Sequence, residues 1–303
     1  MSKIVIIGSI SMDLVMETNR LAEAGETVFG SQFSMVPGGK GANQAVAIGR
    51  LSSKNDHVEM LGAVGNDQFA SGLLENLSQN QVVSENVGTI PYSTGVAQIT
   101  LYDNDNRIIY CPGANAKVDA RNFDKEWDII ADADLVVLQN EISHQTNLAI
   151  AQFCHQKGIR VLYNPAPSRD TDIEMLEFVD VITPNEHEVK ELFPHRDLEE
   201  IIKSYPNKLL VTLGTKGSIF FDGNDIQKIP AIKAKVVDTT GAGDTFNGAF
   251  GYAISKGLPF KEAVSFGTLA SHLSVQGFGA QGGMPYLKEM KESAYYEETW
   301  AIK

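Results

Sequence analysis

The sequence predicts an α/β fold of three layers, a mostly parallel sheet with helices on both faces plus a small β lid. Three observations predict it. Short apolar runs rich in Val and Ile recur at residues 3–8, 58–64, 134–139, 160–163, 179–183 and 209–213. Longer amphipathic stretches lie between them, at 67–79, 145–157 and 186–192. Continuous apolar strands separated by helices are the pattern of a parallel sheet buried on both faces, with right-handed crossovers. Two regions then break the alternation. Residues 17–35 are polar and Gly-punctuated, with Thr27-Val28-Phe29 read as a short strand. Residues 95–111 read as two strands, 96–102 and 107–111, around Asp103-Asn104-Asp105-Asn106, whose turn chemistry marks a hairpin. A few strands fold poorly alone. They are therefore expected to form a discontinuous lid, about 14–36 and 95–112, on a single domain spanning 1–303; surface decoration is the alternative reading.

Composition narrows the function. The 303 residues are 43% apolar and 21% charged, and 25 Lys and Arg stand against 38 Asp and Glu, a net charge of −13. An acidic chain without a basic run lacks the footprint of a nucleic-acid binder and suits no anionic membrane surface. Its apolar runs are far below the roughly 18 residues of a membrane span. Met1-Ser2-Lys3 leads straight into a strand-like segment with no signal-type apolar region, so a cytoplasmic protein is expected. Two cysteines are too few for a disulfide scaffold or zinc site, and Cys111 and Cys154 read as packing residues. The six histidines form no metal-binding spacing.

The chemistry concentrates near residue 240. Val236-Val237 reads as a strand-like pair leading into Asp238-Thr239-Thr240-Gly241-Ala242-Gly243-Asp244-Thr245-Phe246. A helix follows with Phe246, Phe250, Ala253 and Ile254 on one face. Its start leaves backbone N–H groups unpaired at the positive end of the helix dipole, a cradle for developing negative charge on a phosphoryl group. There Asp244 is placed to accept a proton from an attacking hydroxyl. The same residues also read as a helix cap and a tight turn. Neither a P-loop nor a dinucleotide fingerprint fits: Gly41 follows Gly39-Lys40, and Phe246 stands where a third Gly is needed.

Residues 238–246 resemble the D-T-x-G-A-G-D-x-F signature of the PfkB-type (ribokinase-like) family of sugar and nucleoside kinases. Pro37-Gly38-Gly39-Lys40-Gly41-Ala42-Asn43-Gln44-Ala45 resembles the family's other signature, in the form its ribose-phosphorylating members show. Asn185-Glu186-His187-Glu188, after a strand and Pro184, matches its N-x-x-E motif. The order and spacing fit from Ile4 to about Pro285.

The resemblance implies roles residue by residue. Asp244 is the catalytic base, and Gly241, Ala242 and Gly243 form the anion hole. Ser11, Met12, Asp13, Gly39, Lys40, Gly41, Ala42, Asn43, Glu141 and Asp244 bind the sugar. Paired carboxylates with an amide suit vicinal hydroxyls, and with Lys40 as the only cation in these segments a neutral polyol is expected. Ser11 departs from the family's usual Asn. Asn185, Thr212, Leu213, Gly214, Thr215, Lys216, Gly217, Gly243, Asp244 and Thr268 match nucleotide contacts. Glu188 would organise Mg²⁺ through water, the ion staying mostly on ATP. Asp238, Thr240, Ser274, Gly277, Gly279 and Gly283 match a potassium site beside the anion hole. The implied reaction is transfer of the ATP γ-phosphoryl to the 5-hydroxyl of D-ribose, with a homodimer formed through the lids. Rival readings are a fructose or nucleoside kinase of the same family, a non-catalytic sugar-binding protein, and a nicotinamide-dependent oxidoreductase.

Overall fold

The computed structural model describes residues 1–103, 105–300 and 302. The chain opens with β1 (Lys3–Ile7), β2 (Ser11–Thr18), β3 (Gly30–Gly38), α1 (Lys40–Leu51), β4 (His57–Leu61) and β5 (Ala63–Gly65). It continues through α2 (Ala70–Gln79), β6 (Gly88–Ile90), β7 (Gly95–Tyr102), β8 (Asp105–Cys111), α3 (Lys125–Ala131), β9 (Leu135–Gln139), α4 (His144–Lys157) and β10 (Arg160–Asn164). Then come β11 (Val181–Ile182), α5 (Glu188–Leu192), α6 (Leu198–Ser204), β12 (Leu210–Thr212), β13 (Ser218–Phe221), β14 (Ile226–Ile229), α7 (Ala242–Ser255), α8 (Phe260–Ser274) and α9 (Leu287–Glu292).

A parallel sheet in the order β11-β10-β9-β1-β4 forms the middle layer. Its strands are apolar throughout because both faces are covered. In β1, Ile4 and Ile6 enter the core beneath α1, α2, α7 and α8, while Val5 and Ile7 enter the core on the α3 to α6 side. The same alternation splits Leu135 and Val137 from Val136 and Leu138 in β9. Parallel bridges Ile182↔Leu209 and Asn185↔Thr212 carry the sheet on to β12, which pairs antiparallel with β13, and β13 with β14. Helix ends follow local chemistry: Ser143 accepts from Thr146 N at the start of α4, Gly158 ends it at φ 71°, and Asp197 caps α6.

The second sheet, β3-β2-β7-β8, springs from β1 through Gly8-Ser9-Ile10 and matches the expected lid. β2 pairs antiparallel with β3 and parallel with β7, and β7 pairs antiparallel with β8.

Several expectations are corrected. Thr27–Phe29 is not a strand; the strand runs over Gly30–Gly38, in register with β2. Ser11–Asp13 opens β2, and Lys40–Asn43 is the first turn of α1. The run 58–64 breaks at Gly62 because β5 leaves β4 to pair with β6. The 179–183 run shortens to two residues, where the Asp180 side chain accepts from Val161 N at 2.7 Å. The helix expected from 67 starts at Ala70, because Asp67 accepts from Thr94 and Phe69. Val236 and Val237 are exposed and form no strand. Of the expected hairpin turn, Asn104 lies outside the described residues. Cys154 is buried as expected, whereas Cys111 is exposed.

Candidate active site

The site lies along the carboxyl edge of the parallel sheet, where open α/β sheets gather loops and helix N-termini. Ser9 follows β1, Glu141 follows β9, Asn164 ends β10, Asn185 follows β11 and Thr212 ends β12.

At its centre is the start of α7. The Asp238 carboxylate ties the preceding turn, accepting from Thr240 N at 2.9 Å, Thr240 Oγ1 at 2.7 Å and Gly279 N at 2.9 Å. Burial pushes the Asp238 carboxyl up, but these hydrogen bonds outweigh it and hold it below the usual carboxylate range. Gly241 sits at φ 75°, and a Cβ there would collide with the carbonyl of Ala280, so the turn demands glycine. Of the three expected anion-hole amides, Ala242 N–H is taken by the Thr239 carbonyl at 3.2 Å. Among the described residues, Gly241 N–H and Gly243 N–H find no backbone acceptor. Two of the three amides are thus left unpaired, because a tightened first turn bends the Ala242 amide inward.

Asp244 is 7% exposed. Its Oδ2 accepts from Asn43 Nδ2 at 2.9 Å and its Oδ1 from Gln44 Nε2 at 3.0 Å. Both amides lie within the first five residues of α1, brought close because Gly248 of α7 packs on Ala47 and the Gln44 carbonyl without a side chain between. The amides are themselves held: Gln281 Nε2 donates to Asn43 Oδ1 at 2.9 Å, Gln139 Nε2 donates to Gln44 Oε1 at 2.9 Å, and Gln44 Nε2 is shared with Asn164 Oδ1 at 3.1 Å.

On the lid side, Glu141 Oε2 accepts from Ser9 Oγ at 2.6 Å and from Lys40 N at 3.0 Å, so it caps α1 from another element. Asp13 points from β2 toward these groups. Burial, then the charges of Glu141 and Asp244, push its carboxyl up to about 7, against the opposing pull of Lys40. Burial pulls Lys40 down, yet Asp244, Glu141, Glu188 and Asp13 together hold its ammonium above the usual lysine range. Ser11 is buried beside Asn115, whose Nδ2 reaches Ile10 O, Tyr110 Oη and Ser11 Oγ. Met12 departs from its expected role: its side chain packs into the core under α1, because alternation along β2 turns it away from Ser11 and Asp13.

Two adjoining cavities share Asn185, Thr212 and Gly243. The smaller, about 130 Å³, is lined by Lys40, Glu188, Asp244, Asn164, Thr183 and Asn247 among others. The larger, about 610 Å³ and mainly apolar, takes in Gly214, Thr215, Gly217 and Thr268 of the residues matched to the nucleotide. Leu213 and Lys216 do not line it. Leu213 packs on the core beneath, and Lys216 turns outward toward Glu186 at 3.7 Å. Asn185 Oδ1 accepts from His187 N and Glu188 N, while Glu188 Oε2 accepts from Asn185 N at 2.7 Å. Burial raises the Glu188 carboxyl despite that bond and the nearby Lys40. Ser274, Gly277 and Gly283 meet where the loop after α8 folds back on the helix end, and Gly279 binds Asp238.

The sequence reading missed Gln44, Gln139, Asn164, Thr183, Asn247 and Tyr110, and the apolar wall of Ile232, Val236, Phe246 and His272, while Asn115 and Gln281 drew notice only within short ribose-type segments, 112–115 and 279–281. Gln44 carried a signal, since it stands directly after Asn43 in a helix start that has no other use for consecutive amides. The others lie far apart in the chain and carry none.

Residues 1–287 match the model of the pfkB family of carbohydrate kinases. The chain is 62% identical to the ribokinase of Lactococcus lactis over 291 residues, 96% of each chain. It is 41% identical to that of Bacillus subtilis, over 96% of this chain and 99% of the other. Among solved structures it is similar to Arabidopsis thaliana ribokinase complexed with ribose and ATP, at a TM-score of 0.86 and 33% identity, covering 95% and 96% of the two chains.

Proposed function

Because the chain belongs to the pfkB family of carbohydrate kinases, we propose that it is an ATP-dependent ribokinase, transferring the γ-phosphoryl of ATP to the 5-hydroxyl of D-ribose to give ribose 5-phosphate and ADP. The observation that carries the reading is the position of Asp244: a buried carboxylate gripped by two amides, at the helix start where the sugar-side carboxylates meet the nucleotide-sized cavity.

D-ribose lies between Asp13, Asn43, Glu141 and the turn at Gly39–Ala42, with Ser11 at its lid-side end. The 5-hydroxyl faces Asp244. ATP occupies the larger cavity against Gly214, Thr215, Gly217 and Thr268, its phosphates passing Asn185 toward Gly243. As the hydroxyl oxygen attacks phosphorus in line, Asp244 takes its proton, and the free amides of Gly241 and Gly243 meet the charge spreading over the phosphoryl oxygens. The ammonium of Lys40, held charged by four carboxylates, sits in the smaller cavity beside that path. The lid excludes water, the competing acceptor.

Among the described residues no three His, Cys, Asp or Glu side chains cluster as a metal site. This fits a Mg²⁺ carried on ATP, with Glu188 and Asn185 reaching it through water. When bound, the ion neutralises phosphate charge. The donors at Asp238, Thr240, Ser274, Gly277, Gly279 and Gly283 are oxygens, a set that fits K⁺; bound there, it would stiffen the turn entering Gly241. The lid, about 14–36 and 95–112 of a single domain over 1–303, exposes Phe29, Phe33, Met35 and Ile109, and pairing of two lids in a homodimer would cover them. No described helix is long and apolar enough to cross a membrane, in keeping with a cytoplasmic enzyme.

A coupled ADP-release assay over a panel of ribose, fructose, deoxysugars and nucleosides, with potassium or an inert large cation at matched ionic strength, tests the reading. Turnover is expected to be fastest with ribose and to need potassium. Equal rates with fructose would overturn the substrate, and indifference to the cation would overturn the potassium site.

A further inference from the structure

Tyr110 stands on β8, the outermost strand of the lid, opposite Ala97 in register. Alternation puts it on the same face as Ser11 and Asp13, and its ring joins Val15, Ala97 and Ile99 in the small apolar cluster of that face. Its hydroxyl is led inward. Asn115 Nδ2 donates to it at 3.0 Å, and it lies 3.4 Å from Ser11 Oγ. Asn115 is fully buried and is fixed in turn by both polar groups of Ile10, accepting from its N–H at 2.9 Å and donating to its carbonyl at 3.0 Å.

This arrangement fixes the direction of the tyrosine proton. With Asn115 donating to the phenol oxygen, the O–H is left to donate, and Ser11 Oγ meets it only at the long distance of 3.4 Å. The groups around the sugar pocket are otherwise rich in acceptors: Asp13, Glu141 and Asp244 each present a carboxylate. A sugar hydroxyl that donates to Asp13 needs a donor for its own oxygen. Ser11, with one short hydroxyl, does not reach as far as the Tyr110 ring can. Burial raises the Tyr110 phenol to about 12, with Glu141 adding to the shift, so the donor stays protonated through the working range.

We propose that Tyr110 is a specificity-determining residue of the sugar pocket, its lid-borne hydroxyl donating to a ribose hydroxyl at the end of the sugar remote from Asp244. The inference rests on the ribokinase reading.

The test is Tyr110→Phe, which keeps the ring in its apolar cluster, assayed by ADP release with D-ribose, 2-deoxy-D-ribose and 1,4-anhydro-D-ribitol. For ribose, KM is expected to rise about threefold to tenfold, the loss of one hydrogen bond, with kcat within about twofold of wild type. With the analogue lacking the contacted hydroxyl, wild type and variant are expected to share the same kcat/KM. An unchanged ribose KM, or an equal penalty on all three sugars, would overturn the proposal while leaving the ribokinase reading intact. A wild-type enzyme inactive on ribose would instead remove the reading on which it rests.

Discussion

Gln44 Nε2 donates to Oδ1 of Asp244 across 3.0 Å, joining two residues 200 positions apart. With Asn43 on the other oxygen, it fixes the plane of the carboxylate. In the proposed mechanism a carboxylate free to rotate would present its lone pair to the sugar hydroxyl only part of the time, so this bond is expected to act on the transition state rather than on binding. Gln44→Leu is expected to lower kcat by about 10- to 100-fold, the range of a hydrogen bond to a charged group. The KM for ATP should hold within about twofold. A steady-state comparison checks this; an unchanged kcat would mean that Asn43 alone orients the base.

Asp244→Asn keeps the shape of the side chain and removes its basicity. Phosphoryl transfer is expected to fall by at least about 10²-fold, the usual reach of general-base catalysis. Ribose binding, followed by calorimetry, should remain measurable. Full activity in this variant would reject the mechanism.

Asp13, with its carboxyl near 7, gives the site a pH limb. Below about 7 the carboxyl holds its proton and loses the charge that strengthens its bonds to sugar hydroxyls, so ribose KM should rise by up to about tenfold per pH unit on the acid side, and Asp13→Asn should flatten that limb while raising KM throughout. The stability sign runs the other way. The folded state keeps a proton that the unfolded chain releases near 4, so the Asp13 contribution is fully present below about 4 and is lost as pH rises to about 7. Thermal unfolding at pH 8 should therefore find Asp13→Asn more stable than wild type, and an equal or lower Tm would contradict this account.

Gly241→Ala adds a methyl group where φ is 75° and the Ala280 carbonyl is in the way. The turn must shift, and the free amides shift with it. A stability loss of about 1–3 kcal/mol is expected, together with a fall in kcat larger than the rise in either KM. Denaturant unfolding and steady-state kinetics separate the two effects. A variant with wild-type kcat would show that the amide cradle tolerates movement.

The sheet was the legible part of the fold. Strands buried on both faces must be apolar at every position, so β1 and β9 announce themselves. The lid strands are half exposed and mixed in composition, which is why β2 was not marked as a strand and Thr27–Phe29 read as one. The site was legible where a short motif carries its own geometry, as at Gly241–Asp244 and Gly39–Asn43. Met12, Leu213 and Lys216 were drawn in by position within a motif, and a strand's alternation or a turn's direction sends each of their side chains elsewhere.

By itself the sequence determined the layered α/β class and the Gly-rich helix start with its acid. These follow from period, turn chemistry and charge, all properties of neighbours along the chain. Tertiary structure alone decided which amides hold Asp244, that Asp13 titrates near 7, that Ala242 N–H is spent within the turn, and that Tyr110 reaches Ser11. Hydrogen bonds and desolvation act over a few ångströms of space. Partners separated by 100 or 200 residues come within that range only after helices have packed and the lid has curled over the sheet.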